Sequence, residues 1–139
     1  MRSRASLSVL EQLIMLLIFA LAAAICLRAF AWADVASERS AACDRAMREA
    51  QNAAAVIRQT RGNMADAAEL WGGSVRDGSW VIGYDESWNR ADGTSCLLKV
   101  TPIDDGIGLL GQAAVSVERN GQQLAALEVA WQEVAADGT

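Results

Sequence analysis

The sequence predicts an α+β protein: one long N-terminal helix packed on a small antiparallel β-sheet. Three observations predict it. No glycine or proline occurs from Met1 to Arg61, so nothing in that run breaks a helix. Beyond Gly62 come short runs of alternating apolar residues separated by Gly, Asn and Asp, the pattern of strands joined by tight turns. The apolar residues of the first run crowd into Leu13 to Ala33, so one half of the helix is far more apolar than the other.

The first half of the helix reads as a membrane segment. From Ser6 to Arg61 a continuous helix would be about 80 Å long. Leu13 to Leu27 contains no polar side chain. A span needs about 20 apolar residues, reached by including Leu7, Val9 and Leu10 upstream or the segment Arg28 to Ala33 downstream. Arg28 is near one end and can extend its guanidinium to the headgroups. Trp32 suits the interfacial belt, and Arg2 and Arg4 favour a cytoplasmic N-terminus with the remainder of the chain outside. Two other readings stay open. One is a removable secretory signal cut after Ala31-Trp32-Ala33, against which stand Glu11-Gln12 ahead of the apolar core and a helical pattern that runs through the cut. The other is a buried helix of a soluble domain, against which stand its length and uniform apolarity.

Charge divides the chain in the same place. Before Asp34 there are Arg2, Arg4 and Arg28 with only Glu11 opposing them; from Asp34 onward 9 Lys and Arg face 16 Asp and Glu, which makes the formal net charge -5. An acidic extracytoplasmic part argues against nucleic acid as a partner. Histidine is absent, which removes the usual general base and the commonest metal ligand. Of the three cysteines, Cys26 falls in the apolar run, and Cys43 and Cys96 are candidates for a disulfide if the compartment is oxidising. No cysteine spacing suggests zinc.

Glu11 is the most informative single residue. A carboxylate next to hydrocarbon needs a partner, and the nearest upstream cation, Arg4, is seven residues away. One reading puts its partner on another chain, or at a new N-terminus made by proteolysis; the other leaves Glu11 solvated at the boundary of a signal anchor. The segment Ser6-Leu7-Ser8-Val9-Leu10-Glu11-Gln12-Leu13-Ile14 resembles the processing region of type IV pilins and pseudopilins. The resemblance implies a basic leader, Met1 to Ser6, removed by a prepilin peptidase between Ser6 and Leu7. It implies methylation of the new N-terminus, and a glutamate at the fifth mature position, which is Glu11. In the family that glutamate meets the N-terminal amine of a neighbouring subunit. Ser6 stands where the family usually has Gly, and Leu7 where it usually has Phe; Gln12 is a further polar departure. The resemblance implies a pilin-like fold.

From Asp34 to Arg61 the chain reads as an amphipathic helix rich in alanine. Val35, Cys43, Met47 (or Ala46), Ala50, Ala54 and Ile57 recur at three- and four-residue steps, a stripe suited to docking on a sheet. Glu38, Arg45, Glu49 and Arg58 are assigned to the opposite side, with Arg45 and Glu49 an i,i+4 pair. Gly62-Asn63 ends the helix.

A short helix over Met64 to Trp71 follows, before Gly72-Gly73. Strands are predicted over Ser79 to Tyr84, over Ser95 to Thr101 with Pro102 ending it, and over Ala113 to Glu118 and Gln123 to Gln132. Asp92-Gly93 is read as a turn and Asn120-Gly121 as a hairpin. A three-residue loop, Arg119 to Gly121, pairs Val115 with Ala125 and Ala113 with Leu127. With Gly121 as the bulge it gathers Ala113, Val115, Val117, Ala125, Leu127, Val129 and Trp131 on one face, whereas a two-residue turn at Asn120-Gly121 pairs Val117 with Leu124 and Val115 with Ala126 and puts Leu127, Val129 and Trp131 on the other. Trp88, in the polar loop Asp85 to Arg90, is either a packing residue or a contact for a partner.

Site chemistry is sparse. Asp104-Asp105-Gly106 and Asp85-Glu86 lack the spaced ligands of a calcium loop. Gly106 to Gly111 has the outline GxGxxG without the flanking strand and long helix. No enzymatic activity, cofactor or metal is expected. The expected organisation is a leader (1–6), a transmembrane half-helix (7–33), an amphipathic half-helix (34–61) and a β-rich head (62–139). The expected function is that of a minor pilin or pseudopilin-like subunit of a pilus or secretion filament. Its expected partners are other pilin-like subunits, the prepilin peptidase, an inner-membrane assembly platform and membrane lipid. The alternative is a secreted or membrane-anchored binding domain.

Overall fold

The protein is described by a computed structural model covering residues 2–92, 95–104 and 110–133, with side chains from Arg4 onward. The elements are α1 (Arg2–Gln59), α2 (Met64–Trp71), β1 (Ser74–Arg76), β2 (Ser79–Tyr84), β3 (Cys96–Ile103), β4 (Leu110–Arg119) and β5 (Gln122–Gln132). The expected α+β architecture, a long N-terminal helix packed on a small antiparallel sheet, is the one observed. Contacts divide the chain into two compact units, Met1–Ala41 and Ala42–Thr139. The helix α1 contributes to both.

In the second unit, α1 buries Ala46, Ala50, Ala53, Val56 and Ile57. These positions recur every three or four residues and therefore lie on one side of the helix. Ala50 and Ile57 are in the core as the sequence predicts, and Ala46 takes the place left open between it and Met47, which is exposed. Cys43 and Ala54 flank the stripe and are half-buried. Val35 is not part of it: the residue belongs to the first unit and is 66 % exposed.

Helix α1 stops at Gln59 through a double hydrogen-bonded cap. The Gly62 N–H donates to the Ile57 carbonyl at 2.9 Å and the Arg61 N–H to the Arg58 carbonyl at 3.2 Å, the two bonds of a Schellman motif. The left-handed residue that closes it is Arg61 (φ 50), with Gly62 (φ 80) following. Asn63 then begins α2: its side-chain oxygen accepts from the N–H groups of Ala65 and Asp66, at 3.0 and 3.2 Å. Helix α2 spans the predicted residues, and Met64 and Ala67 enter the core.

The five strands form one antiparallel sheet in the order β1-β2-β3-β4-β5. Strand β1 was not legible as a strand; it pairs Arg76 with Ser79 across Asp77-Gly78, both at positive φ. Strand β3 runs on through Pro102, which pairs with Ala113. Proline is tolerated there because β2 stops pairing at Trp80↔Val100, so beyond that point β3 has a strand on one side only. The Asp92-Gly93 turn and the Asp104 to Gly106 loop fall partly outside the described residues.

The β4–β5 hairpin corrects the expected loop. Arg119 pairs with Gln122, so the turn is the two-residue Asn120-Gly121, with φ 50 and 79. Both signs suit the tight turn that matches strand twist. The extra residue is further along: a bulge between Val117 and Glu118 places Leu124 and Ala125 beside Val117. Val115 therefore pairs with Leu127 and Ala113 with Val129. The predicted apolar face survives, because the bulge shifts β5 by one residue and restores the alternation.

That face lies in one core with Trp80, Ile82, Tyr84, Leu98, Val100 and the buried stripe of α1. Trp131 closes it by lying against two glycines. A Cβ at Gly62 or at Gly111 would collide with the indole ring, so both positions exclude a side chain while Trp131 stays in place.

Candidate functional site

In the first unit every described side chain, from Arg4 to Ala41, is exposed. Large apolar residues are among them: Leu7, Leu10, Leu13, Ile14, Met15, Leu16, Phe19, Ile25 and Phe30, with Trp32 at 82 %. The helix is apolar all round between Leu13 and Leu27. It is long and apolar enough to cross a membrane. Such a surface requires lipid or other apolar chains around it.

The residues predicted for leader cleavage and subunit assembly fall on this helix. Ser6 and Leu7 are helical and exposed. Glu11 and Gln12 follow one turn later. Glu11 makes no ion pair or side-chain hydrogen bond among the described residues, and neither does Arg28. Glu11 and Arg28 are the only charged residues between Arg4 and Asp34. Seventeen residues of helix separate them, about 25 Å along the axis and about 100° around it. They cannot meet within one chain.

The second unit carries a polar cluster that the sequence did not reveal. The Tyr84 hydroxyl, on β2, donates to Glu49 Oε2 of α1 at 3.2 Å. The other carboxylate oxygen lies 3.2 Å from Arg45 Nη2, and the Glu49 side chain is only 12 % exposed. Glu49 thus faces the sheet rather than solvent. Its i,i+4 spacing from Arg45 was visible in the sequence, but the tyrosine lies on a different element. Burial first, then the Glu49 charge and hydrogen bond, push the Tyr84 hydroxyl up from 10.0 to about 12, with Arg90 opposing. Arg90 lies 5.2 Å from the centre of the Trp71 ring, within range of a cation–π attraction.

Trp88 is half-buried against the core, its ring centre 5.8 Å from that of Tyr84. The loop that carries it is closed by Asp85, whose Oδ1 accepts from the N–H groups of Ser87 and Asn89, each at 2.9 Å. Cys43 and Cys96, the pair the sequence offers for a disulfide, are both free thiols, as is Cys26. Cys96 is fully buried, and burial pushes its thiol up, with Arg119 opposing. That disfavours the reactive thiolate. Among the described residues no group of three acidic or cysteine side chains converges as metal ligands. Compared with protein-family models, curated proteins and solved structures, the chain finds no match.

Proposed function

We propose that this chain is a minor pilin or pseudopilin-like subunit. It would be held in the membrane by α1 and assembled into a filament through the same helix. The observation that carries the proposal is the conjunction of a helix stretch that is apolar all round and exposed with Glu11, the one carboxylate before Asp34. The helix must be surrounded, and the carboxylate requires a cation that the chain's own α1 does not bring to it. Neighbouring copies would supply both. The prepilin-like segment around Ser6-Leu7 supports the reading, with prepilin peptidase, an assembly platform and other pilin-like subunits as partners and an extracytoplasmic head.

The test is the mature terminus together with Glu11→Ala. Mass measurement should find a chain starting at Leu7, lost in cells without prepilin peptidase. Glu11→Ala should insert normally but enter filaments about tenfold less, the factor expected for losing one charged contact. A chain starting at Asp34, or full incorporation of Glu11→Ala, would refute the proposal.

A further inference from the structure

We infer that Glu11 of one copy pairs with Arg28 of a parallel copy displaced along the helix axis by about 25 Å. The inference rests on the proposed function and names the partner that Glu11 takes in it. Both groups are exposed and unpartnered among the described residues, and both flank the same apolar stretch. Copies side by side at one depth in a bilayer would set Glu11 against Glu11 and Arg28 against Arg28, which repels. An antiparallel pair would match both ends at once, but Arg2 and Arg4 direct every copy to insert the same way. A parallel copy advanced by seventeen residues is the arrangement that opposes the carboxylate to the guanidinium.

Packing supports the same offset. On the Glu11 side of α1 the residues one turn away are Leu7, Ser8, Ile14 and Met15. On the Arg28 side the equivalent residues are Ala24, Ile25, Ala31 and Trp32. An advance of seventeen brings Leu7 level with Ala24, Ser8 with Ile25 and Ile14 with Ala31, each a large side chain against a small one, and Met15 level with Trp32, the one pair of large residues. The two faces lie about 100° apart around the helix, so one copy offers its Glu11 face to a neighbour and keeps its Arg28 face for another. Such a contact is heterologous and continues rather than closing into a pair.

The experiment uses the full-length chain in cells that assemble it. Glu11→Arg and Arg28→Glu should each reduce incorporation about tenfold, and the two together should restore it to within about twofold of the unmodified chain. The double exchange keeps positive charge at the cytoplasmic end, so insertion is preserved. In a Cys26→Ser, Cys43→Ser background, Ile14→Cys with Ala31→Cys should give an intermolecular 14–31 disulfide in the filament fraction. Only 14–14 and 31–31 links, with no recovery in the double exchange, would overturn the pairing. If Glu11→Ala is still defective in that case, the proposed function stands without it. If the unmodified chain never enters a filament, both fall.

Discussion

Tyr84 is the one tyrosine in the chain, so its ionisation can be followed by tyrosinate absorbance without interference from a second phenol. Its hydroxyl is raised from 10.0 to about 12. A raised acid is protonated in the folded state at pH values where the unfolded chain has already lost its proton. The stability it contributes is therefore whole below pH 10 and is lost between pH 10 and about 12. Two units correspond to at most about 2.7 kcal/mol. In the full chain held in detergent micelles, absorbance should show a midpoint near 12 while circular dichroism remains native, and near 10 in denaturant. Glu49→Gln should lower the folded midpoint but leave it above 10, because burial is the first cause and the Glu49 charge the second. Tyr84→Phe should reduce the loss of stability in that window, leaving the part due to the raised Cys96 thiol. A folded midpoint near 10 with native circular dichroism would show that Tyr84 is neither buried nor bonded to Glu49.

Asn63→Ala removes the side chain that accepts from Ala65 and Asp66 and should cost about 1 kcal/mol in urea unfolding. Gly111→Ala should force Trp131 off its seat and cost about 1–3 kcal/mol, read as a lower denaturation midpoint.

The sequence was most legible where one residue type decides the outcome. Asn120-Gly121 announced a hairpin, and the apolar alternation on either side announced which face is buried. The extra residue needed to align the two strands was not announced. It can sit in the loop or in the strand, and the structure puts it at Leu124, leaving a turn with both residues at positive φ. Strand β1 was missed for a different reason. Its three residues are all exposed and carry no alternation, so only the Asp77-Gly78 turn marked it. Glu49 was misplaced because its neighbour in sequence, Arg45, accounts for its charge, while the group that draws it inward is Tyr84, thirty-five residues on. Glu11 and Arg28 stood out as charges in an apolar run, but their shared spacing becomes meaningful only with α1 known to be continuous between them.

The two parts of α1 solve different problems with one backbone conformation. From Ala46 to Ile57 its buried residues form a stripe that is mostly alanine, so a sheet on one side is enough. From Leu13 to Leu27 no side of the helix is polar, and none of its side chains is buried. A binding partner docked on one side would leave the other sides bare. Only surroundings on all sides satisfy such a helix: hydrocarbon, or several neighbouring helices at once. Transfer from the first environment to the second changes little for the leucines and isoleucines, since both are apolar. Under the proposed assembly it would change a great deal for Glu11 and Arg28, which would leave the headgroup region and require opposite charges beside them. In that proposal the two charged residues govern which packing of apolar helices is allowed, while the apolar residues only require that some packing exists.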